Sequence, residues 1–166
     1  CPTCGRTRID LIGLATRVEE MVADIDLKTI HEMQDVRACL EGMIARLAAQ
    51  RIGLEDLSIL EKFIIKMEQA TLELDIEEYT RNNNAFHAHI ASCCGNDYLV
   101  DSLHAILKKT IHRPCRTWEG LGNVEHTNRC HREILEALKM HEALRAQEAA
   151  TQHVLNALET QKHFLQ

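Results

Sequence analysis

The scarcity of helix breakers is the feature that most constrains this 166-residue chain. The sequence contains only 2 prolines and 7 glycines, so long stretches of backbone carry no residue that would interrupt a helix. Aromatic residues make up only 4% of the chain, whereas Leu, Ala, Ile and Glu are abundant. Because strands favour aromatic and β-branched residues, this composition favours a helical bundle over a sheet.

The spacing of apolar residues predicts six helices after a short N-terminal segment. They cover about 27–52, 54–74, 76–94, 97–113, 124–140 and 142–164. We expect Gly53 and Gly95 to end the first and third helices, and Asp75 to cap the third. A loop is predicted over 113–123 and a tight turn near His141. Short connections between long amphipathic helices predict antiparallel neighbours in an all-α bundle.

The apolar face of the first helix is predicted from residues with helical spacing. They are Val36, Leu40, Met43, Ile44 and Leu47. This stripe is expected to face the core of the bundle.

Charge and cysteine content narrow the classes of function. The formal net charge is -6, and the sequence contains no long Lys/Arg run that would neutralise phosphates. The chain alone is therefore not expected to bind nucleic acid.

No apolar run approaches the length of a membrane span, and no signal peptide is visible. Seven cysteines without secretory signals predict reduced thiols in a cytoplasmic protein. The chain begins at Cys1 and not at Met, which suggests a fragment of a longer protein.

Three of the ten histidines lie on apolar faces of different predicted helices: His87, His131 and His153. Asn83 lies four positions before His87, on the same face. A single histidine of this kind is usually a core residue that forms one hydrogen bond, and that alternative stays open here. Three such rings in one bundle indicate a shared site, since converging imidazoles hold transition metals. His89 is expected to be exposed or at an interface.

Several segments, in order, resemble the FCD effector domain, which is the C-terminal half of the FadR subfamily of GntR-type transcriptional regulators. They are the first helix with Arg37 and Glu41, Glu77 to Tyr79 with Asn83, Phe86-His87, Gly95-Asn96, the helix from His131 to Ala137, and His153. The similarity extends over about 26–158. It implies a bundle of six or seven antiparallel helices that binds an effector, forms a homodimer and catalyses no reaction. Such a regulator contacts DNA only through a winged-helix domain, which this sequence does not contain.

The resemblance also implies a metal site formed by Asn83, His87, His131 and His153, with Zn or Ni as the ion. Many members of the family have Asp where this chain has Asn83. An amide oxygen is neutral, and it is a weaker ligand than a carboxylate. A divalent ion held by neutral groups keeps its full charge, so we expect a small carboxylate effector to be attracted to it.

Arg37 has two interpretations of similar weight. It lies four residues before Glu41 on the first helix, so the two side chains can form an ion pair that contributes little to stability. A guanidinium group can also bind a carboxylate through two parallel hydrogen bonds, which would make Arg37 a ligand-binding residue.

The first 26 residues are foreign to this family, so we divide the chain into 1–26 and an effector-binding domain over 27–166. The N-terminal segment, with Cys1 and Cys4, resembles the cluster-binding segment of the iron–sulfur enzyme hydroxymethylbutenyl diphosphate synthase. Two thiolates could bind a cluster or zinc, but the third cysteine and the glutamate of that enzyme's following segment are missing. An iron–sulfur cluster is therefore not expected, and a fusion or an artefact is the favoured origin.

The function predicted from the sequence is that of a ligand-sensing domain. Two alternatives remain at this stage. Three histidines around a metal with an open position could activate water in a metal-dependent hydrolase, although the sequence indicates no general base beside them. The bundle could also bind no ligand and act through protein–protein contact.

Overall fold

The computed structural model describes residues 27–110 and 123–162, and those residues form six helices. They are α1 (Leu27–Ala49), α2 (Leu54–Glu73), α3 (Ile76–Cys93), α4 (Asp97–Thr110), α5 (Val124–Lys139) and α6 (Ala143–Lys162). The predicted all-α class and the order of the helices are confirmed. The N-terminal segment with its CxxC pair and most of the predicted loop over 113–123 lie outside the described residues. Within the described ranges, no helix is both long and apolar enough to cross a bilayer.

Two of the predicted helix boundaries are confirmed by their geometry. The Asp75 side chain caps α3, because its Oδ1 accepts a hydrogen bond from the backbone N–H of Glu78 at 2.9 Å. Gly95 follows α3 with φ of 65°, a left-handed conformation that glycine adopts without strain. The turn between α5 and α6 contains His141, whose φ of 53° also lies in the left-handed region.

The prediction for Gly53 was wrong. The first helix ends at Ala49, and Gly53 is instead the N-cap of α2, with extended backbone at φ of -99°. Its N–H donates a hydrogen bond to Oδ2 of Asp56 at 3.3 Å, which satisfies a backbone donor at the start of the helix. Gly53 therefore begins the next helix and does not terminate the previous one.

Helix α1 is the centre of the bundle. It packs most extensively on α6, and it also contacts α3, α4 and α5. The consecutive pairs α2–α3 and α5–α6 pack against each other, and α2 also contacts α5. The large side chains of the core come mainly from α2, α3 and α5. They include Leu60, Ile64, Met67, Phe86, Ile134, Leu135 and Leu138, each at most 1% exposed.

The buried face of α1 differs from the predicted stripe of large apolar residues. Small residues form most of it, and they are Ala38, Gly42, Ala45, Ala48 and Ala49. Val36, predicted to face the core, is 46% exposed, whereas Ile44 is buried as predicted. Helix α6 faces α1 with small residues too, among them Ala146 and Ala150. The contact between the two backbones is close because so few large side chains separate them.

An ion-pair network joins α5 to α2 at the surface. The guanidinium of Arg132 donates two hydrogen bonds to the carboxylate of Glu68, at 2.8 and 2.6 Å, and a third at 3.3 Å to Glu61. Lys139 adds a second cation beside Glu61, at 2.8 Å. These hydrogen bonds add directional contacts between α5 and α2.

We predict that Gly42→Val destabilises the fold by about 1–3 kcal/mol, the usual cost of an overpacked contact. A Cβ at this position would overlap the hydroxyl of Thr151 and lie 3.1 Å from the carbonyl oxygen of Gln147, both on α6. The measurement is the free energy of unfolding in urea. Gly53→Ala is the matched control, because a Cβ there meets nothing nearer than 3.7 Å. Equal stability of the Gly42→Val variant and the parent would contradict the close α1–α6 packing.

Candidate functional site

The three histidines singled out in the sequence meet in the core of the bundle. His87 of α3, His131 of α5 and His153 of α6 have ring centroids 4.5–5.3 Å apart. The Nε2 atoms of His87 and His131 are 3.3 Å apart. One nitrogen of each of the three rings lies within 4.8 Å of the others. The geometry therefore brings three candidate ligand atoms from three helices to one point.

Each ring is fixed by the helix that carries it. His131 lies on the buried face of α5 with Ile134, Leu135 and Leu138, and it is 0% exposed. His153 is 6% exposed and shares its face of α6 with Ala146 and Ala150. The small alanines leave room for the imidazole between the helices.

Burial keeps two of these rings uncharged. It lowers the pKa of His131 well below the usual histidine value, and the neighbouring His153 and His87 lower it further. Burial also lowers the pKa of His153 to about 3, and the positive charge of a protonated His87 acts in the same direction. Neutral imidazole is the form of histidine that binds metals, so both side chains are in the ligand state at neutral pH.

Glu41 of α1 places a buried carboxylate beside the histidines. Its Oε2 is 3.3 Å from Nδ1 of His87, and its Oε1 accepts a hydrogen bond from Nε of Arg37 at 2.6 Å. Burial alone would raise the pKa of Glu41, but Arg37 and His87 outweigh that effect and hold it far below its usual value. The carboxylate is therefore ionised, with the Arg37 guanidinium as its counter-charge.

The contribution of Glu41 to the site was missed in the sequence, where it was considered only as an ion-pair partner of Arg37. The signal that could have found it is its position on α1. Glu41 falls within the stripe of small residues that includes Ala38, Gly42 and Ala45. A carboxylate at a position that faces a neighbouring helix at close range is expected to have a specific buried partner.

The donor set can be tested against the metal that the family resemblance implies. Two nitrogen ligands of a tetrahedral Zn ion are about 3.3–3.4 Å apart, since Zn–N bonds are about 2.0–2.1 Å long. The distance between the two Nε2 atoms of His87 and His131 matches that separation. The buried Nδ1 of His131 has no hydrogen-bond partner among the described residues, so no second contact orients this ring when Nε2 is the ligand. The His87 and His131 nitrogens therefore fit a divalent ion, and a nitrogen of His153 lies within 4.8 Å of both.

The other two predicted site residues, Asn83 and Arg37, lie near the cluster. Asn83 is half-buried, one helical turn before His87, and its side chain makes no hydrogen bond or ion pair within the described ranges. The role of Asn83 as a metal ligand therefore stays a prediction. Arg37 forms the expected pair with Glu41, and its side chain is 21% exposed, so this is a partly buried pair and not a surface one.

A small cavity adjoins His87 and Glu41. Its volume is about 20 Å³, which is enough for about one water molecule. Its lining combines two of the polar groups described above with apolar side chains. The residues are Glu41, Ile44, Ala45, His87, Ile90, Leu103, Ile134 and Ala150. Small-molecule sites have linings of this kind but volumes of roughly 300–1,000 Å³, so the cavity as it stands is too small for an organic ligand.

Two other histidines contact neighbouring helices. His89 is not freely exposed: its ring packs edge-on against Phe63, and its Nε2 lies 3.1 Å from Oδ1 of Asp56. His141, near which a tight turn is predicted, donates a hydrogen bond from Nδ1 to the carbonyl oxygen of Ala49 at 2.7 Å. That bond satisfies a carbonyl at the C-terminal end of α1.

Comparisons with known proteins agree with the family resemblance found in the sequence. The FCD domain family model matches residues 32–156. The chain is 28% identical over 154 residues to the Glc operon transcriptional activator of Escherichia coli strain K12, covering 83% of this chain and 59% of the activator. It therefore spans about three-fifths of the length of the curated relatives that it matches. These relatives are transcriptional regulators and not enzymes, in agreement with the prediction that the chain catalyses no reaction.

Solved structures share the fold. The GntR protein of Streptococcus agalactiae is similar with a TM-score of 0.63 and 26% identity, over 77% of this chain and 57% of that one. McbR/YncC of E. coli is similar with a TM-score of 0.71 and 16% identity, over 85% of this chain and 71% of that one. At that identity, the second likeness concerns the fold alone.

We predict that Arg37→Met destabilises the protein by about 1–3 kcal/mol, because it leaves the buried carboxylate of Glu41 without its cation. The measurement is the free energy of unfolding at neutral pH. Lys28→Met is the matched control: it removes an i,i+4 pair with Glu32 on the same helix, in which the side chains are 83% and 65% exposed. We expect that control to change stability by less than about 0.5 kcal/mol. Equal effects of the two variants would contradict the buried pair.

Proposed function

Because the chain belongs to the FCD family of effector-binding domains of GntR-type transcriptional regulators, we propose that it senses a small organic acid through a divalent metal. The observation that carries the proposal is the convergence of three imidazoles in the bundle core, from helices α3, α5 and α6. Converging imidazoles are a common way for a helical bundle to hold a transition metal.

In this proposal His87, His131 and His153 hold the ion, and Zn or Ni suits nitrogen ligands. Glu41 acts behind His87 as a positioning residue. Its carboxylate accepts a hydrogen bond from the Nδ1–H of that ring, which leaves Nε2 directed toward His131. Such carboxylate–histidine pairs fix the orientation of metal-ligating rings and raise their basicity. Asn83 is the proposed fourth ligand, and it is the weakest of the set.

When bound, the ion supplies a positive charge that the neutral ligands leave uncompensated, and this charge attracts a carboxylate. Arg37 already balances the charge of Glu41, so the carboxylate of Glu41 offsets little of the ion's charge. The remaining N–H groups of Arg37 are the second element of acid recognition, since a guanidinium binds carboxylates with directional hydrogen bonds.

Binding of an acid requires the cavity wall to move. A volume of about 20 Å³ holds about one water molecule, which is less than any organic acid occupies. Leu103 of α4 forms part of that wall, and α4 packs on α1. We propose that the effector displaces α4 outward, so that binding energy is converted into a shift between two arrangements of the bundle.

In the whole regulator, this shift would bias the geometry of a homodimer and hence of DNA-reading domains outside the present sequence. This chain spans 59% of the length of the curated relatives, so the regulatory output is proposed for the complete protein and not for this domain alone.

Catalysis by the same site is disfavoured. Glu41 is the carboxylate nearest to the histidines that the structure describes, but it is held by Arg37 and its pKa lies far below the usual range. A general base needs a pKa near the working pH, so Glu41 is unsuited to abstract a proton from water.

We predict that protein purified without a histidine tag contains at least one Zn or Ni per chain by elemental analysis, as the three-histidine site requires. His131→Ala and His153→Ala should each contain about one equivalent of metal less than the parent, because they lose a ligand of this site. Asn83→Asp should tighten metal binding by about ten-fold or more, because a charged carboxylate replaces a neutral amide.

Asn84→Asp is the matched control for this experiment. It adds the same charge at the next position, where the side chain is exposed, and we expect no comparable gain in affinity. The proposal fails if the protein takes up no metal and if the histidine variants fold as stably as the parent.

We further predict that small carboxylates raise the melting temperature of the metal-loaded protein but not of the metal-free protein. The panel consists of acetate, malonate, succinate and citrate. Arg37→Lys should weaken binding of the best of these acids by about ten-fold, because lysine keeps the charge but lacks the planar pair of donors.

Arg46→Lys on the same helix controls for general effects of the substitution, since Arg46 pairs with Gln147 at 3.3 Å and does not contact Glu41. An unchanged melting temperature with every acid, at full metal occupancy, would exclude a carboxylate effector of this class.

A further inference from the structure

A second cluster of ligand-type side chains lies between α2 and α3, apart from the three histidines. Asp56 of α2 and His89 and Cys93 of α3 each offer one ligand atom, and these atoms lie within 4.8 Å of one another. Oδ1 of Asp56 is 3.1 Å from Nε2 of His89. His89 and Cys93 are four residues apart on one helix, so their side chains project in the same direction.

The two clusters use opposite faces of α3. His87 and His89 are two residues apart, which places their side chains about 200° apart around the helix. The ring of His87 faces α5 and α6, whereas the ring of His89 packs against Phe63 of α2. A ligand bound by the second cluster would therefore not share a coordination shell with the first.

We propose that Asp56, His89 and Cys93 form a second binding site for a divalent transition metal, with Zn²⁺ as the ion that best suits the donors. A carboxylate, an imidazole and a thiolate are all ligands that Zn²⁺ takes in proteins. A nitrogen and an oxygen ligand of a tetrahedral zinc are about 3.3 Å apart, close to the observed separation of Asp56 and His89.

The Asp56 carboxylate can serve this site without losing its existing role. Its Oδ2 accepts the hydrogen bond from the N–H of Gly53 that caps α2, and its Oδ1 faces His89. Metal binding through Oδ1 would thus leave the helix cap intact. Such a hydrogen bond to a ligating carboxylate also holds the ligand in place.

The site is half-buried, which allows exchange with solvent. The side chains of His89 and Asp56 are 21% and 38% exposed, so an ion can enter and a water molecule can complete the coordination. Cys93 binds as the thiolate, and its thiol proton leaves to solvent when the metal enters. The bound ion would link the first turn of α2 to the last turn of α3.

The test is a titration of the full chain with Co²⁺, followed by absorption spectroscopy. Cys1 and Cys4 are both changed to Ser in the starting protein, so that the CxxC pair contributes no thiolate. We expect a thiolate-to-cobalt charge-transfer band in the near ultraviolet that saturates at one equivalent per chain when the starting protein also carries His131→Ala, and at up to two equivalents when the three-histidine cluster is intact. The three-histidine cluster contains no sulfur and cannot produce this band.

Variants then assign the band to individual residues. Cys93→Ser should abolish it, and His89→Gln should weaken cobalt binding by about ten-fold or more. Cys39→Ser removes an exposed thiol of α1 and should leave the band unchanged. Circular dichroism checks that each variant keeps the helical fold.

Absence of the band in the starting protein, or its persistence in Cys93→Ser, would overturn the proposal. The result is independent of the histidine cluster, because His131→Ala should remove metal from that cluster and leave the charge-transfer band in place. If the three-histidine cluster bound no metal, the charge-transfer band would still test the second site.

Discussion

The close approach of α1 and α6 is the constraint on which the rest of the structure depends. It requires Gly42 and the neighbouring alanines on α1, because a side chain at Gly42 would overlap Thr151 of α6. With the two backbones this near, His153 of α6 reaches the rings of α3 and α5, and Glu41 of α1 reaches His87. Larger residues along this contact would separate the helices and disperse the group of side chains between them.

Electrostatic balance at the centre of the bundle follows from that packing. Removing a carboxylate from water is costly unless a partner compensates it. Arg37 compensates Glu41, while burial keeps the His131 and His153 rings neutral. The centre thus presents neutral nitrogen ligands next to a neutralised ion pair. This arrangement is suited to receive a cation, and it explains how a charged residue can persist beside a small, mostly apolar cavity.

Helix α3 contributes residues to both clusters because its sequence places ligand-type residues on two faces. Its inner face holds His87, next to the buried Phe86, and its other face directs His89 and Cys93 toward α2. The two clusters therefore share one helix but depend on different contacts. Movement of α3 would affect both clusters together, whereas substitution within one of them leaves the donor atoms of the other in place.

The sequence by itself determined the helical class, the order of six helices, the cap at Asp75 and the three inward histidines, because these depend on local propensity and on periodicity of 3.6 residues. It did not determine the buried face of α1, the role of Gly53 as the N-cap of α2, the position of Glu41 beside His87 or the pairing of Asp56 with His89. Those features depend on which helices become neighbours and on how closely they approach. Only the tertiary structure decided them, since contacts between residues distant in the chain follow from the packing of all the helices together.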